Sequence, residues 1–463
     1  MHSKYSHKLS ESKYLKRIYS LVSYSSPLKR SMSGYEMEFT LVDDRGDVSN
    51  RSEEIINTCK EINKNFPISK EVGKNMIEIA ALPSTKIQKT ALYFIDNIQN
   101  VQTICAEKGL SLLPLGTYPG SFKEKVWKKK RYIYPAKVIG DKKYWYYYSH
   151  CYGFHYHYSL PKGMFDHKNK FLNVHIKSRI KKTLIDSYNL LIAADPALTT
   201  FTQSSPFESG KYYAKDTRVL FLRGGKKLKF DGLYSNMQLM GGLPPYKQTL
   251  SDLISTLNKK DKRFKKMLIK KGAPKSLIME KDTLDFVWNP VKINRLGTIE
   301  QRGMDTNHLN ICLGASVMIK FILRAIQQEF YHVIPSDVGL KEPFKLEGNV
   351  IFIPPHTHVR NVLQRKSSYS GLADNEVYNV CNRFYKLARK LVYKNYLPTL
   401  NAIRDMIDTR KTVSDMIVNY VKRKGYSTDS VIPREISRQI ALLHVKKMNR
   451  DIEKTKKLYE DIV

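Results

Sequence analysis

The strongest constraint in this sequence is a set of four short segments in which polar residues alternate with apolar ones. A β-strand produces such a period of two, because successive side chains point to opposite faces. In the segment 35–42, Glu36 and Glu38 share one face with Thr40, and the residues between them are apolar. Two carboxylates therefore stand side by side on one face of a predicted strand.

The other three segments repeat this alternation with other ligand types. One is predicted as a strand over residues 74–80, with an acid at the turn that enters it, and the others cover residues 154–158 and 298–302. Each offers polar ligand residues on one face. These residues are Glu71 and Glu78, then His155 and His157, then Thr298, Glu300 and Arg302.

A solvated sheet face could explain any one of these segments, since antiparallel sheets commonly expose one face to water. That alternative predicts a mixture of Lys, Ser and Thr, whereas none of these positions is Lys in a chain with a formal net charge of +36. Clustered carboxylates repel one another unless cations neutralise them. Carboxylates with an imidazole suit Mg²⁺ or Mn²⁺, and a fixed arginine adds a group for phosphoryl transfer.

The order of the motifs carries a family resemblance. The motifs are GYEMEFTLVD at 34–43, Glu71 with Glu78, GTYP at 116–119, CYGFHYH at 151–157, SPF at 205–207 and GTIEQR at 297–302. Over residues 33–328 this order resembles the type 2 glutamate-cysteine ligases and related carboxylate-amine ligases. The resemblance implies an α+β fold with a curved antiparallel sheet of glutamine synthetase type, helices packed on its outer face, and a helical C-terminal region.

The resemblance also implies roles for individual residues. ATP would bind with two or three Mg²⁺ or Mn²⁺ ions. Arg302 would contact the transferred phosphate, and Glu300 would act beside it in catalysis. Arg218 and Arg223 follow where the family has phosphate-contacting arginines, which makes them candidates for ATP binding, with an exposed surface role as the alternative. The implied metal ligands are Glu36, Glu38, Glu71, Glu78, His155 and Glu300.

Three residues are candidates for substrate binding. His157 follows His155 on the ligand face, and the alternative for it is an imidazole bonded to the neighbouring backbone. Thr117 lies in the GTYP motif. Arg131 ends a basic run, residues 128–131, which either clamps a phosphate or carboxylate or forms a solvated face. The aromatic run at 144–148 is predicted to form core and cleft wall.

The sequence departs from the family pattern at several places. Met37 stands where the family has a third consecutive acid, and Glu208 stands where it has an aromatic residue after the SPF motif. The segment 224–290 is longer than the family pattern. These departures leave the ATP and metal site in place and leave the amine substrate open.

Three regions are predicted along the chain. Residues 1–33 form a basic flexible arm, for which a transit peptide is the alternative. Residues 34–370 form the catalytic domain, with an insertion around 224–290, and residues 371–463 form a helical region packed on it. No apolar run is long and uncharged enough to predict a membrane span. Five scattered cysteines predict a reduced, cytoplasmic protein.

Two classes of function compete. The first is an ATP-dependent carboxylate-amine ligase that activates a carboxylate, most simply the side chain of glutamate, as an acyl phosphate and forms an amide with an amine. A protein-modifying ligase on the same fold is a variant of it. The second is a nucleic-acid-binding protein, which the charge suggests. The ligase is favoured, because only it explains the ordered acids. Small-molecule substrates, polyanion contact through the basic surface and a homo-oligomer are the expected partners.

Overall fold

The structure, a computed structural model, describes residues 31–279, 283–285 and 287–462, so the predicted arm lies almost wholly outside the described residues. The strands are β1 (Ser33–Asp43), β2 (Ile68–Lys70), β3 (Met76–Ala80), β4 (Leu110–Leu113), β5 (Gly153–Ser159), β6 (Phe165–Asp166), β7 (Phe171–Leu172), β8 (Phe207–Glu208), β9 (Lys211–Tyr212), β10 (Val291–Asn294), β11 (Thr298–Asp305), β12 (His332–Pro335), β13 (Lys345–Glu347) and β14 (Val350–Ile353).

The helices outnumber the strands and include one π-helical stretch, Val359–Leu363, and 3₁₀ segments at Gly371–Ala373 and Lys394–Leu400. The α-helices are α1 (Ser52–Ile62), α2 (Ile87–Glu107), α3 (Lys130–Ile139), α4 (Asp141–His150), α5 (Ser178–Thr202), α6 (Thr217–Arg223), α7 (Gln238–Gly241), α8 (Leu250–Lys270), α9 (Lys275–Met279), α10 (Leu309–Gln328), α11 (Asp337–Lys341), α12 (His356–His358), α13 (Gln364–Ser370), α14 (Asn375–Leu391), α15 (Asn401–Thr409), α16 (Val413–Arg423) and α17 (Arg434–Glu460).

A seven-stranded antiparallel sheet organises the fold. Its strand order is β10-β11-β5-β1-β3-β2, and β4 pairs with the second half of β1. The strand β1 is central because its apolar face is continuous: Tyr35, Met37 and Phe39 are each at most 1% exposed. The predicted α+β fold with an antiparallel sheet is confirmed.

Helices cover the apolar face of this sheet. The ring of Tyr35 lies 5.4 Å from that of Phe94 on α2 and 5.7 Å from that of Phe154 on β5, measured between centroids. The helical spacing of apolar residues over 85–108 predicts a packing helix, and α2 is this helix. Burial of aromatic side chains of this size contributes about 1.5–3 kcal/mol each relative to exposure, which holds the sheet and leaves its other face for the polar residues.

The apolar sequence over 309–330 predicts a long helix, and α10 is this helix. It is long and apolar enough to cross a membrane, and 89% of its apolar window is buried inside the protein, as in the core helix of a folded domain. The segment 224–290 contains the 21-residue helix α8, whose side chains Leu253, Leu257 and Phe264 are buried. The sequence analysis did not predict this helix, because basic residues interrupt its apolar stripe.

Helices also dominate the chain after residue 371. The terminal helix α17 is tied to the turn after β1, since Arg434 Nε and Nη2 donate to Asp47 at 2.9 and 2.8 Å and Arg438 donates to the same carboxylate. These arginines hold the pKa of Asp47 at about 2. The C-terminal region therefore packs back on the seven-stranded sheet. The division into three regions stays a prediction.

Candidate functional site

Strand register brings the four predicted segments onto one sheet face. Directly opposed residues in an antiparallel pair project to the same side. The register pairs Glu38 with Glu78 between β1 and β3, and Glu36 with His155 between β1 and β5. It also pairs Glu300 with His157 between β11 and β5. The polar face of the sheet, here called the ligand face, thus contains residues that are up to 264 positions apart in number, from 36 to 300.

The ligand face contains three overlapping groups of possible metal ligands. Within each group, one ligand atom from each residue lies within 4.8 Å of the others. Glu36 and Glu78 each belong to two groups, so the groups share one continuous patch. Among the described residues, the groups are Glu36, Glu78 and His155; Glu36, His157 and Glu300; and Glu38, Glu71 and Glu78.

The oxygen and nitrogen atoms of this patch are suitable ligands for divalent cations. The buried Nε2 atoms of His155 and His157 have no hydrogen-bond partner among the described residues, and a buried polar atom without a partner is costly. His157 Nε2 lies 3.3 Å from Glu36 Oε2 and His155 Nε2 lies 3.8 Å from Glu38 Oε1. Carboxylate oxygens with one or two imidazoles are a donor set for Mg²⁺ or Mn²⁺.

At the β3 side of the ligand face, the nearby positive charges do not balance those of the carboxylates. Burial and the neighbouring carboxylate of Glu38 raise the pKa of Glu71 to about 8. Burial and the carboxylate of Glu71 raise the pKa of Glu78 well above its ordinary value. The metal-free protein therefore favours protons on these two groups, and a divalent cation would supply the missing positive charge.

At the β11 side of the ligand face, nearby cationic groups stabilise the charged carboxylates. Burial opposes ionisation of Glu300, but Lys292, Arg302 and the two histidines outweigh it and lower its pKa to about 2. Burial likewise opposes ionisation of Glu36, and His157 and His155 nevertheless hold its pKa well below the ordinary value. These two carboxylates are charged at neutral pH and are ready to accept a cation.

A bulge in β11 sets the position of Arg302. Gln301 pairs with Tyr156 and Met304 pairs with Phe154, so Arg302 and Gly303 together oppose one residue of β5. A Cβ on Gly303 would lie 2.5 Å from a nitrogen of the buried Arg223 side chain, so only glycine permits this approach. Bulges next to active sites re-aim a side chain. Here Arg302 Nε lies 3.5 Å from Glu300 Oε1, and its side chain is 20% exposed.

Lys292 is a site residue that the sequence analysis missed. It lies on β10 directly opposite Glu300, and its Nζ lies 3.3 Å from Glu300 Oε2. Burial lowers the pKa of Lys292 below its ordinary value. None of the ligand positions named in the four predicted segments is lysine, as expected, but β10 adds one to the ligand face. Its signal was available in the alternation of Val291 and Ile293 with Lys292 and Asn294.

The predicted ATP-binding arginines are buried against β11. Arg218 donates to the carbonyl oxygens of Gly303 at 3.1 Å and Arg302 at 3.2 Å. Arg223 forms a two-pronged ion pair with Asp195, with Nη2 to Oδ1 at 3.0 Å. Neither arginine is the exposed surface residue that the alternative required. The structure gives both a role in holding the β11 bulge, and their contact with ATP stays a prediction.

The predicted substrate residues occupy three different settings. His157 joins the ligand face, where its Nδ1 lies 3.0 Å from Thr298 Oγ1. Thr117 is buried and donates to the carbonyl oxygen of Phe207 at 2.7 Å. Arg131 is exposed at the start of α3, with its guanidinium 4.5 Å from the centroid of the Tyr132 ring. Their roles in substrate binding stay predictions.

The aromatic run forms helix α4 beside the ligand face. The hydroxyl groups of Tyr148 and Tyr234 lie 2.6 Å apart. Burial raises the pKa of Tyr148 to about 12 and that of Tyr234 well above its ordinary value, and the nearby charge of Arg302 opposes both shifts. Glu208, at the departure from the family pattern, is buried and accepts hydrogen bonds from Tyr146 and Ser209, each at 2.6 Å. Hydrogen bonds thus fix both Tyr146 and Tyr148 of the aromatic run.

The metal-free protein is expected to lose stability between about pH 4.5 and pH 8 through Glu71. Because folding raises the pKa of this carboxyl, the folded chain holds the proton more tightly, and the stabilisation present below the ordinary pKa disappears as pH rises through the folded value. Thermal melts in a chelator should show that Glu71→Gln removes this part of the pH dependence. Saturating Mg²⁺ should remove it from the unaltered chain.

Glu61→Gln is the matched control for this experiment, because Glu61 is exposed on α1. The control should keep the full pH dependence. The same dependence in Glu71→Gln would contradict the proposed repulsion among the carboxylates.

Lys292→Ala is expected to weaken divalent-metal binding or turnover by roughly 10–100-fold, the usual effect of removing a group that orients a metal ligand. Without Lys292 the Glu300 carboxylate loses its nearest cation and its orientation. A Mg²⁺ titration of ATP-dependent phosphate release measures this. Lys60→Ala, at an exposed position of α1, is the control, and equal behaviour of the two variants would refute the role of Lys292.

Comparisons with known proteins agree with this geometry. The family model described as glutamate-cysteine ligase family 2 matches residues 32–348, more than half of the chain. A search of curated protein sequences found no match.

Two solved structures are similar to the fold. The glutamate-cysteine ligase of Francisella tularensis, solved in complex with AMP, is 13% identical with a TM-score of 0.52, over 94% of this chain and 93% of that one. The bifunctional glutathione synthetase of Pasteurella multocida is 13% identical with a TM-score of 0.51, over 94% of this chain. The chain spans 54%, about half, of the length of that bifunctional enzyme. At this identity the likeness concerns the fold.

Proposed function

Since this chain belongs to the glutamate-cysteine ligase family 2, we propose that it is an ATP-dependent carboxylate-amine ligase that activates the side-chain carboxylate of glutamate and joins it to an amine. The carboxylate would attack the terminal phosphate of ATP to give an acyl phosphate and ADP. The amine would then displace phosphate and leave an amide. Activation is needed because a free carboxylate is a poor electrophile and the acyl phosphate carries a good leaving group.

One observation carries this proposal: the carboxylates, the histidines and Arg302 converge on one sheet face. Glu36, Glu38, Glu71, Glu78, His155 and Glu300 would hold two or three divalent ions, and His157 lies within reach of the same patch. When bound, such ions neutralise phosphate charge and orient phosphate oxygens. ATP would therefore lie with its terminal phosphate over this face.

The remaining residues of the site have distinct tasks in the proposed reaction. Arg302 presents a planar guanidinium that can bind two phosphate oxygens at once. Glu300 and the β11 bulge hold this guanidinium in place. Tyr148 and Tyr234 lie beside it and would help to exclude water, so that the amine and not hydroxide attacks the acyl phosphate.

An amine screen tests this function. The purified chain is incubated with ATP, Mg²⁺ and glutamate against cysteine, other amino acids, polyamines and lysine-containing peptides, and both phosphate release and product mass are measured. The expected result is an amine-dependent product whose mass equals glutamate plus amine minus water. Glu300→Ala is the inactive control. Products in which glutamate is replaced by another carboxylate would contradict the substrate assignment and leave the ligase chemistry intact.

A further inference from the structure

A groove outside the catalytic sheet has the features of an anion-binding site. It lies between β13 and the second half of α14 and encloses about 530 Å³. Five cationic and three apolar side chains line it, and none of its lining residues belongs to the seven-stranded sheet. The groove is therefore separate from the ligand face.

Two of the five cations already have carboxylate partners. Glu342 accepts from Lys345 Nζ at 2.7 Å and from Arg383 Nη2 at 3.2 Å. Lys345 Nζ also lies 2.8 Å from Glu347 Oε1, so two carboxylates together balance the charges of Lys345 and Arg383. They leave the remaining positive charge concentrated on the last two turns of α14.

The other three cations, here called the α14 triad, are Lys386, Arg389 and Lys390. Within the described part of the chain, no carboxylate forms an ion pair with any of them. Residues three and four positions apart are neighbours on a helix surface, and like charges at this spacing repel each other. An anion in the groove would relieve this repulsion, while the C-terminal position of the triad on its helix suits its positive charge.

A strained residue forms the apolar floor of the groove. Phe344 has a positive φ of 61°, a conformation that bulky residues rarely adopt. Its ring is 2% exposed and packs 5.0 Å from the ring of Phe384 on α14. Strain of this kind is retained where surrounding packing over-determines it, often at ligand-binding positions. The floor is thus fixed against the helix that carries the triad.

We propose that this groove binds a small organic phosphate carrying at least two negative charges. Its volume lies in the range of small-molecule sites. Arg389 offers a fork for phosphate oxygens, and Lys386 and Lys390 offer two further charges beside it. The apolar floor accommodates a carbon skeleton. Binding of a nucleic acid would require a longer track of phosphate contacts. The proposal goes beyond the ligase function and does not depend on it.

Calorimetric titration with fructose 1,6-bisphosphate tests the proposal, because this probe has two phosphates and no adenine for an ATP site. The unaltered chain should bind it saturably. A double charge reversal, Lys386→Glu with Lys390→Glu, should weaken binding roughly tenfold or more. Both side chains are exposed, so the variant should fold, and a cooperative thermal melt checks this.

The matched control reverses two exposed lysines of α8, Lys262→Glu with Lys266→Glu, and has the same net charge as the test variant. It should bind the probe as the unaltered chain does. Equal weakening in both variants would show a diffuse charge effect and overturn the proposal, as would the absence of saturable binding at millimolar probe. The proposal would also be overturned if an oligonucleotide bound more tightly than the probe and both variants weakened its binding equally.

Discussion

Arg302→Lys is expected to lower the maximal rate of ATP-dependent ligation by about a thousandfold or more while changing ATP affinity little. Lysine keeps the positive charge but cannot bind two phosphate oxygens in a fixed plane. The loss should therefore fall on the transition state, in which charge moves across the phosphate. Steady-state kinetics with a separate measurement of nucleotide binding distinguishes the two effects.

A thermal melt separates this role from a structural one. If Arg302 served only as the ion-pair partner of Glu300, at 3.5 Å, Lys would be a tolerable substitute with a nearly normal rate and a lower melting temperature. Arg295→Lys, on the hairpin between β10 and β11, is the matched control, since the Arg295 side chain is 61% exposed. It should leave both rate and melting temperature unchanged.

Glu36→Gln is expected to reduce metal-dependent phosphate release by at least about a thousandfold, because it removes a ligand shared by two of the three groups. Glutamine keeps the size of the side chain and removes its charge, so the sheet should fold normally. The metal-free variant should also bind Mn²⁺ more weakly in a calorimetric titration. Normal turnover together with normal Mn²⁺ affinity would refute the metal-site assignment.

Glu38→Gln and Glu300→Gln extend this test to the groups on either side. Glu38 shares its group with Glu71 and Glu78, and Glu300 shares its group with Glu36 and His157. Both substitutions should impair turnover. Glu61→Gln on α1 supplies the same chemical change at an exposed position and should have no effect.

Local periodicity in the sequence was enough to predict the ligand face. Glu36 and Glu38 project from the same side of β1 whatever β1 packs against, because alternation is a property of the strand itself. The apolar partners Tyr35, Met37 and Phe39 predicted equally well which side would meet the helices. The α+β fold followed from the order of the motifs and the family resemblance.

Register, in contrast, was decided only in the tertiary structure. A shift by one residue would move every side chain of a strand to the opposite face, and nothing local states that Glu38 lies opposite Glu78 or that Glu36 lies opposite His155. The alternation around Lys292 was visible in the sequence, but only its pairing with Glu300 makes it part of the site.

The arginines and the acids of the site show most clearly why these features depend on the tertiary structure. Arg218 and Arg223 differ from surface arginines only in their buried partners, Asp195 and the carbonyl oxygens of β11, and those partners are distant in sequence. The raised pKa of Glu71 and the lowered pKa of Glu300 likewise come from the charges brought near each carboxylate. The sequence by itself determined which face each ligand occupies, and folding determined the charges around it, because electrostatic interaction depends on distance in space.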